Sequence, residues 1–186
     1  AIYPGVSSGF VIKFGPTGNR IWSTFYGDPS GTTECEDIHA SSSGEVFVCG
    51  TTAATTNIAT PGSSQPAYGG GFNDGYLIKL DATGVLQWGT YLGGSQTDFA
   101  YGISSDNTNV YVGGGTGSAN FPTTAGAHQT AKAGQNDAFL WKLTSAGAPL
   151  WGTFFGGTFG DDGYSVQVDQ AGAVYLGGRT RSATLI

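Results

Sequence analysis

The sequence predicts an all-β fold, a β-propeller of four-stranded blades with three blade-equivalents in 186 residues. Three observations carry that prediction. One stretch is written three times at near-constant spacing, short apolar or alternating runs end in Gly, Ser, Asp or Asn turns, and no window shows a helical stripe.

The repeated stretch is clearest as Asp137-Ala-Phe-Leu-Trp-Lys-Leu143 with Ala148-Pro-Leu-Trp-Gly-Thr-Phe-Phe-Gly-Gly157. An earlier copy is Asp74-Gly-Tyr-Leu-Ile-Lys-Leu80 with Gly84-Val-Leu-Gln-Trp-Gly-Thr-Tyr-Leu-Gly-Gly94, and the first is Gly9-Phe-Val-Ile-Lys-Phe14 with Gly18-Asn-Arg-Ile-Trp-Ser-Thr-Phe-Tyr-Gly27. Lys13, Lys79 and Lys142 are equivalent, as are Trp22, Trp88 and Trp151; both sets step by 66 and then 63 residues. The whole chain, 1–186, reads as a single repeat domain with repeats of approximately 9–73, 74–136 and 137–186.

Each repeat carries a second hairpin. The first is Cys35–Ala40 with Glu45–Thr51, the second Asp98–Ser104 with Asn109–Thr116, and the third Asp161–Val168 with Ala173–Gly178. Val, Ile, Tyr and Phe in short runs suit a pleated, half-buried surface. Four strands per repeat give twelve in all.

Composition narrows the function. A net charge of −6 argues against a nucleic-acid partner or an anionic membrane surface, because both need clustered Lys and Arg. No run approaches the ~18 apolar residues of a membrane-spanning helix, so no membrane insertion is expected. Aromatic residues at 13% set the chain apart from a disordered Gly-rich linker despite its 33 glycines. The chain starts at Ala1 in what reads as a loop, as expected of a processed mature form or a piece of something longer.

The pattern D-a-F-l-x-K-l, x-W-x-T-y-l-G-G, D-x-x-x-x-I, n-V-Y-V-x-G-x-T and S-x-N-F-P-T-T resembles the bacterial β-propeller repeat family called SBBP. The second copy carries nearly every element, including Ser118-Ala-Asn-Phe-Pro-Thr-Thr124. The first departs from it: Asn57-Ile-Ala-Thr60 replaces the N-F-P-T segment, and Thr33 stands where Asp98 and Asp161 stand. The third stops at Ser182-Ala-Thr-Leu-Ile186. The resemblance implies a propeller on secreted or surface proteins of bacteria and brings no catalytic motif.

By analogy with other propellers, the chain begins with two outer strands and ends with two inner ones, with two whole blades between. Three blades are too few for an ordinary closed ring of ~4–8. The split blade exposes strand edges, which are templates for another chain. Self-association through those edges is therefore expected, two copies making six blades, unless further blades lie outside this chain; Val166, Val174, Ile12 and Trp22 are the assembly-edge candidates.

Cys35 and Cys49 lie on facing strands. If Ile38 opposes Val46, Cys35 opposes Cys49, in register for a cross-strand disulfide and an oxidising, extracellular setting. Asp28, Asp161 and Asp162 are the candidates for a Ca²⁺-binding rim, although capping of turns is the simpler role for them and no cofactor is otherwise implied. The equivalent lysines are expected to bury their stems and pair with turn carboxylates, and the tryptophans to pack blades. The two long connections match at Asn57/Asn120, Thr60/Thr123 and Gln65/Gln129, which suggests one repeated loop fold. Their face is the place for a glycan or surface-protein partner, with Tyr68, Phe72, Asn120, Phe121, His128 and Gln129 as candidate contacts.

His39 and His128 are the two histidines and lie in different repeats. No G-x-S-x-G motif is present, and the Gly-Gly-Gly runs lack the Lys-Ser/Thr of a phosphate loop. The expected function is a non-catalytic structural or adhesive module of the cell exterior. A glycan- or protein-binding module is the alternative, and a rim-site hydrolase or lyase comes third.

Overall fold

The computed structural model describes residues 6–184, and the expected loop start at Ala1 and the end of the Ser182–Ile186 segment lie outside them. Twelve strands fill the described chain and no helix is present among the described residues.

Outer strands β1 (Gly9–Phe14) and β2 (Arg20–Tyr26) form a two-stranded sheet of their own. Strands β3 (Thr33–Ala40), β4 (Val46–Thr52), β5 (Asp74–Leu80) and β6 (Leu86–Leu92) form the first complete blade. The second comprises β7 (Asp98–Ser105), β8 (Asn109–Thr116), β9 (Asp137–Thr144) and β10 (Pro149–Phe155). Strands β11 (Asp161–Val168) and β12 (Val174–Thr180) make the last two-stranded sheet. Every pairing is antiparallel between chain neighbours. The blades are thus phased half a repeat after the sequence repeats, with an outer half-blade leading and an inner half-blade trailing.

Tight turns make this meander possible. The outer hairpins turn at Gly18, Gly84 and Gly147, with φ of 82°, 84° and 86°. Side chains other than Gly pay to enter that left-handed region. In the first complete blade the Asp81 carboxylate organises the same turn, accepting from the Thr83 and Val85 amides at 2.8 and 3.0 Å.

The four sheets stack in chain order, with one apolar layer at each interface. Val11 and Tyr26 meet Val46, Val48, Tyr76, Ile78 and Tyr91. Phe47, Leu77 and Leu92 meet Ile103, Val112, Phe139 and Phe154. Tyr111, Leu140 and Trp151 meet Val166, Val168 and Leu176. One backbone bond marks each step: Thr33 N–H to Ser7 at 3.0 Å, Asp98 N–H to Asn73 at 2.8 Å, and Asp161 N–H to Asn136 at 2.9 Å. Identical bonding at all three steps puts both half-blades in blade positions. They do not pair with each other, so the stack is open at both ends.

Each inner strand carries a bulge at the same place, between Cys35 and Asp37, Ala100 and Gly102, and Gly163 and Ser165. Such an extra residue bends the strand and increases its twist.

Candidate functional site

Among the described residues, the two half-blades leave the outward edges of β1 and β12 unpaired. In a complete blade the second strand is flanked by the third and faced by the next sheet. Phe47 and Tyr111, on β4 and β8, are 1% and 0% exposed, whereas their counterpart Tyr175 on β12 is 60% exposed. From the other side, Tyr76 and Phe139 are fully buried, whereas their counterpart Phe10 on β1 is 62% exposed. Phe14 repeats the contrast at 59%, against 2% for Leu80 and 0% for Leu143. Ile38 on the inner strand β3 is 52% exposed, and its counterparts Ile103 and Val166 are 2% and 1% exposed. Exposed apolar surface concentrated on strand edges marks an interaction site more than scattered single residues do.

Two of the four residues expected at assembly edges are elsewhere. Val166 is already buried against the second blade, because the innermost strand turns its apolar face to the preceding sheet. Trp22 lies on the outer strand β2 and packs on the first complete blade, its indole N–H donating to Ala82 O at 3.0 Å. Val174 and Ile12 do sit on the open strands β12 and β1. Aligning the three repeats position by position identifies the rest, Phe10, Phe14, Ile38 and Tyr175, since each is apolar where the complete blades are buried.

The expected pairing with a turn carboxylate is seen at Lys79 and, among the described residues, not at Lys142, while the tryptophans pack between blades as expected. Lys79 pairs with the turn carboxylate of Glu45 at 2.8 Å and stands 5.5 Å from the Phe47 ring centre. Lys142 stands 5.1 Å from the Tyr111 ring. Trp88 spans two blades, donating from Nε1 to Ser145 O at 3.2 Å, as Trp22 does to Ala82 one step earlier.

The long-loop face does not gather the six candidate contacts. Phe121 is buried between Phe139, Trp141 and Phe154, with ring centres 4.3 to 6.2 Å away. The loop folds back and uses Phe121 as core. Gln129 is also buried: its amide donates to Asp137 at 2.8 Å and its carbonyl oxygen accepts from Gly156 N–H at 3.0 Å. Gln65 makes the matching contacts to Asp74 and Gly93, so this recurrence is a loop strut. Asn120 is exposed, but its Oδ1 accepts from the Ser95 amide and hydroxyl at 2.9 and 3.0 Å. Tyr68 donates to Gly71 O at 3.2 Å and packs edge-on against Tyr91. His128 is exposed and lies 6.0 Å from the Phe155 ring. Phe72, 80% exposed, is the one large apolar side chain of the six that stands open.

Cys35 and Cys49 are free thiols, and the expected disulfide is not formed. The hairpin turns later than expected, pairing Ile38 with Val48, and the bulge shifts the register only partly back, so Cys35 faces Gly50 and Cys49 faces Asp37. The thiols also join different apolar layers, Cys49 towards the second blade and Cys35 towards β1. Burial pushes both thiols up from their ordinary pKa.

The rim carboxylates are engaged within the fold. Asp28 accepts from Ser30 N–H, Thr56 Oγ and Asn57 Nδ2 at 2.9, 2.8 and 2.6 Å, which holds its pKa well below the usual carboxylate range. Asp162 pairs with Arg179 at 2.7 Å. Asp161 accepts from Gly157 N–H and Ser182 Oγ, the same brace that Asp98 makes with Gly94 and Ser118. Thr33 replaces that aspartate in the first repeat and bonds Thr52 Oγ at 2.8 Å. Among the described residues, no group of three or more His, Cys, Asp or Glu is placed to hold a metal ion.

Residues 87–122 match the family model of the Beta-propeller repeat, SBBP. The matched stretch runs from β6 through β7 and β8 to the Ser118–Pro122 segment, and so crosses from one blade into the next. No curated protein matches the chain.

Proposed function

We propose that this chain, which carries an SBBP β-propeller repeat, is a non-catalytic propeller module with a structural or adhesive role on the outside of the cell. It is joined to like modules by completion of its terminal half-blades. The supporting observation is the exposure of Phe10, Phe14, Ile38 and Tyr175, whose counterparts within complete blades are buried. Such edges offer main-chain hydrogen bonds for affinity and side-chain pockets for specificity, the mode of strand addition. The extracellular placement draws on the family resemblance and no longer on a disulfide.

Amide hydrogen exchange tests the reading. In the assembled protein, the β12 and β1 amides that face away from β11 and β2 are expected to exchange as slowly as the equivalent amides of β8 and β9. Exchange at the rate of free edges at every protein concentration would sink the blade-completion reading.

A further inference from the structure

We propose that the half-blades complete each other between two copies of this chain, β12 of one copy lying beside β1 of the other in a closed six-bladed ring. The inference rests on the blade-completion reading and names its partner. Four complementary features, each present twice inside the chain, are left unmatched once among the described residues.

The first is register. Val46 faces Leu80 and Val110 faces Leu143 in the two complete blades, while Phe47 faces Lys79 and Tyr111 faces Lys142. The same frame sets Val174 opposite Phe14 of the second copy and Tyr175 opposite Lys13. It also recreates a charged contact: Tyr111 donates to Asp106 at 2.8 Å beneath Lys142, and Tyr175 donates to Asp169 at 3.2 Å with no lysine over its ring among the described residues.

The second is a knob and a hole. In each complete blade an aromatic ring of the third strand rests on a glycine of the second. A methyl group on Gly50 would stand 2.9 Å from Tyr76, and one on Gly114 would stand 2.7 Å from Phe139. Phe10 and Gly178 are the third such pair, and they are apart. Gly178 opens into a cavity of about 210 Å³ lined by Phe155, Gly163 and Leu176, while Phe10 is left exposed.

The third is the tryptophan latch. Trp22 and Trp88 each reach the outer turn of the next blade, bonding Ala82 O and Ser145 O and lying against Gly84 and Gly147. Trp151 has no acceptor for its indole N–H among the described residues. The turn equivalent to its target contains Pro16 and Gly18, and nothing lies within 4 Å of a methyl group placed on Gly18. A second copy brings Pro16 O and Gly18 to Trp151.

The fourth is the inner groove. Phe10, Val11, Ile12, Cys35, Ile38 and Val48 line a groove of about 300 Å³ between β1 and β3. This is where β11 and β12 of the second copy lie, supplying Ile38 with the cover that Ile103 and Val166 already have. Two copies of this chain supply six blade-equivalents, a number within the ~4–8 of known rings.

The test combines light-scattering mass over a concentration series with hydrogen exchange on the same samples. The expected result is about twice the mass of one chain, with protected β1 and β12 edges. Phe10→Asp is exposed in the single chain and leaves its fold intact, but in the assembly it buries a carboxylate at each of two junctions. It is expected to weaken association at least about 100-fold, whereas Phe72→Asp leaves the mass unchanged. Protected edges at the mass of one chain would overturn the second copy while keeping blade completion. A mass that grows continuously would overturn the closed ring in favour of a filament, and free edges at the mass of one chain would overturn both readings.

Discussion

Trp88 and Gly147 belong to different blades and meet face to edge: a methyl group on Gly147 would stand 3.2 Å from the indole, whose N–H reaches Ser145 O at 3.2 Å. The turn must be both left-handed and bare for this to happen. One glycine therefore serves the hairpin and the blade interface at once.

The same relation in the preceding interface separates the two roles. Gly84→Ala pays about 1 kcal/mol to enter the left-handed region, and its methyl group would also lie 2.7 Å from the Trp22 ring. Gly126→Ala pays the first cost alone, because nothing lies within 4 Å of it. Urea denaturation is expected to show a loss of about 1 kcal/mol for Gly126→Ala and at least about 2 kcal/mol for Gly84→Ala.

Phe121 should behave as a core residue. Phe121→Ala is expected to cost about 3–5 kcal/mol of unfolding free energy, and Phe72→Ala no more than about 0.5 kcal/mol. Equal small effects in thermal or urea unfolding would contradict the packing of Phe121 against Phe139 and Phe154.

The thiols should be present but hidden. In native protein, Cys49 is expected to resist a thiol-specific reagent, and unfolding should release two reactive thiols per chain. The melting temperature should not change on adding reductant. A reductant-sensitive transition would indicate a disulfide.

Asp74 makes stability depend on pH. Burial, assisted by the nearby Asp98 carboxylate, pushes its pKa up to about 7, although the Gly69 amide donates to it at 2.6 Å. Asp137, its counterpart, receives the amides of both Ala133 and Gly134, whereas Oδ1 of Asp74 has no partner. A pKa raised on folding means that the stabilising, protonated form is complete below about pH 4 and is lost as pH rises to about 7. Asp74→Asn removes that titration. Its stability relative to the parent is expected to rise by on the order of 1–3 kcal/mol between about pH 4 and pH 8.

The strands, the blade phase and the split blade were legible because they repeat. Lys79, Trp88 and Gly84 announce an outer hairpin whenever they recur at one spacing. A turn carboxylate as the partner of Lys79 was legible, but its identity as Glu45, just before β4, follows from the pairing of β4 with β5. The inner-strand bulge was not legible. It adds one residue without altering the apolar pattern, and together with the later hairpin turn it leaves Cys35 facing Gly50 instead of Cys49. Phe121 was misplaced for another reason: a loop rich in Thr and Ala gives no periodicity to show which way it folds, and burial came from long-range contacts with β9 and β10. The edge residues occupied a middle position, since alignment finds Phe10 and Tyr175 but only the paired sheets reveal that their counterparts are covered.

The break within a blade has a consequence for polarity. The trailing β12 edge accepts the sequence pattern of β1, and the leading β1 edge accepts that of β12, so like ends have no complement. Each junction of this kind joins two unlike edges, and in the two-copy ring a two-fold axis relates one junction to the other. Under the proposed assembly, copy number is therefore governed by the curvature accumulated from sheet to sheet. A substitution that alters the angle between blades, far from either end, would change how many chains close the circle without touching the surfaces that join them.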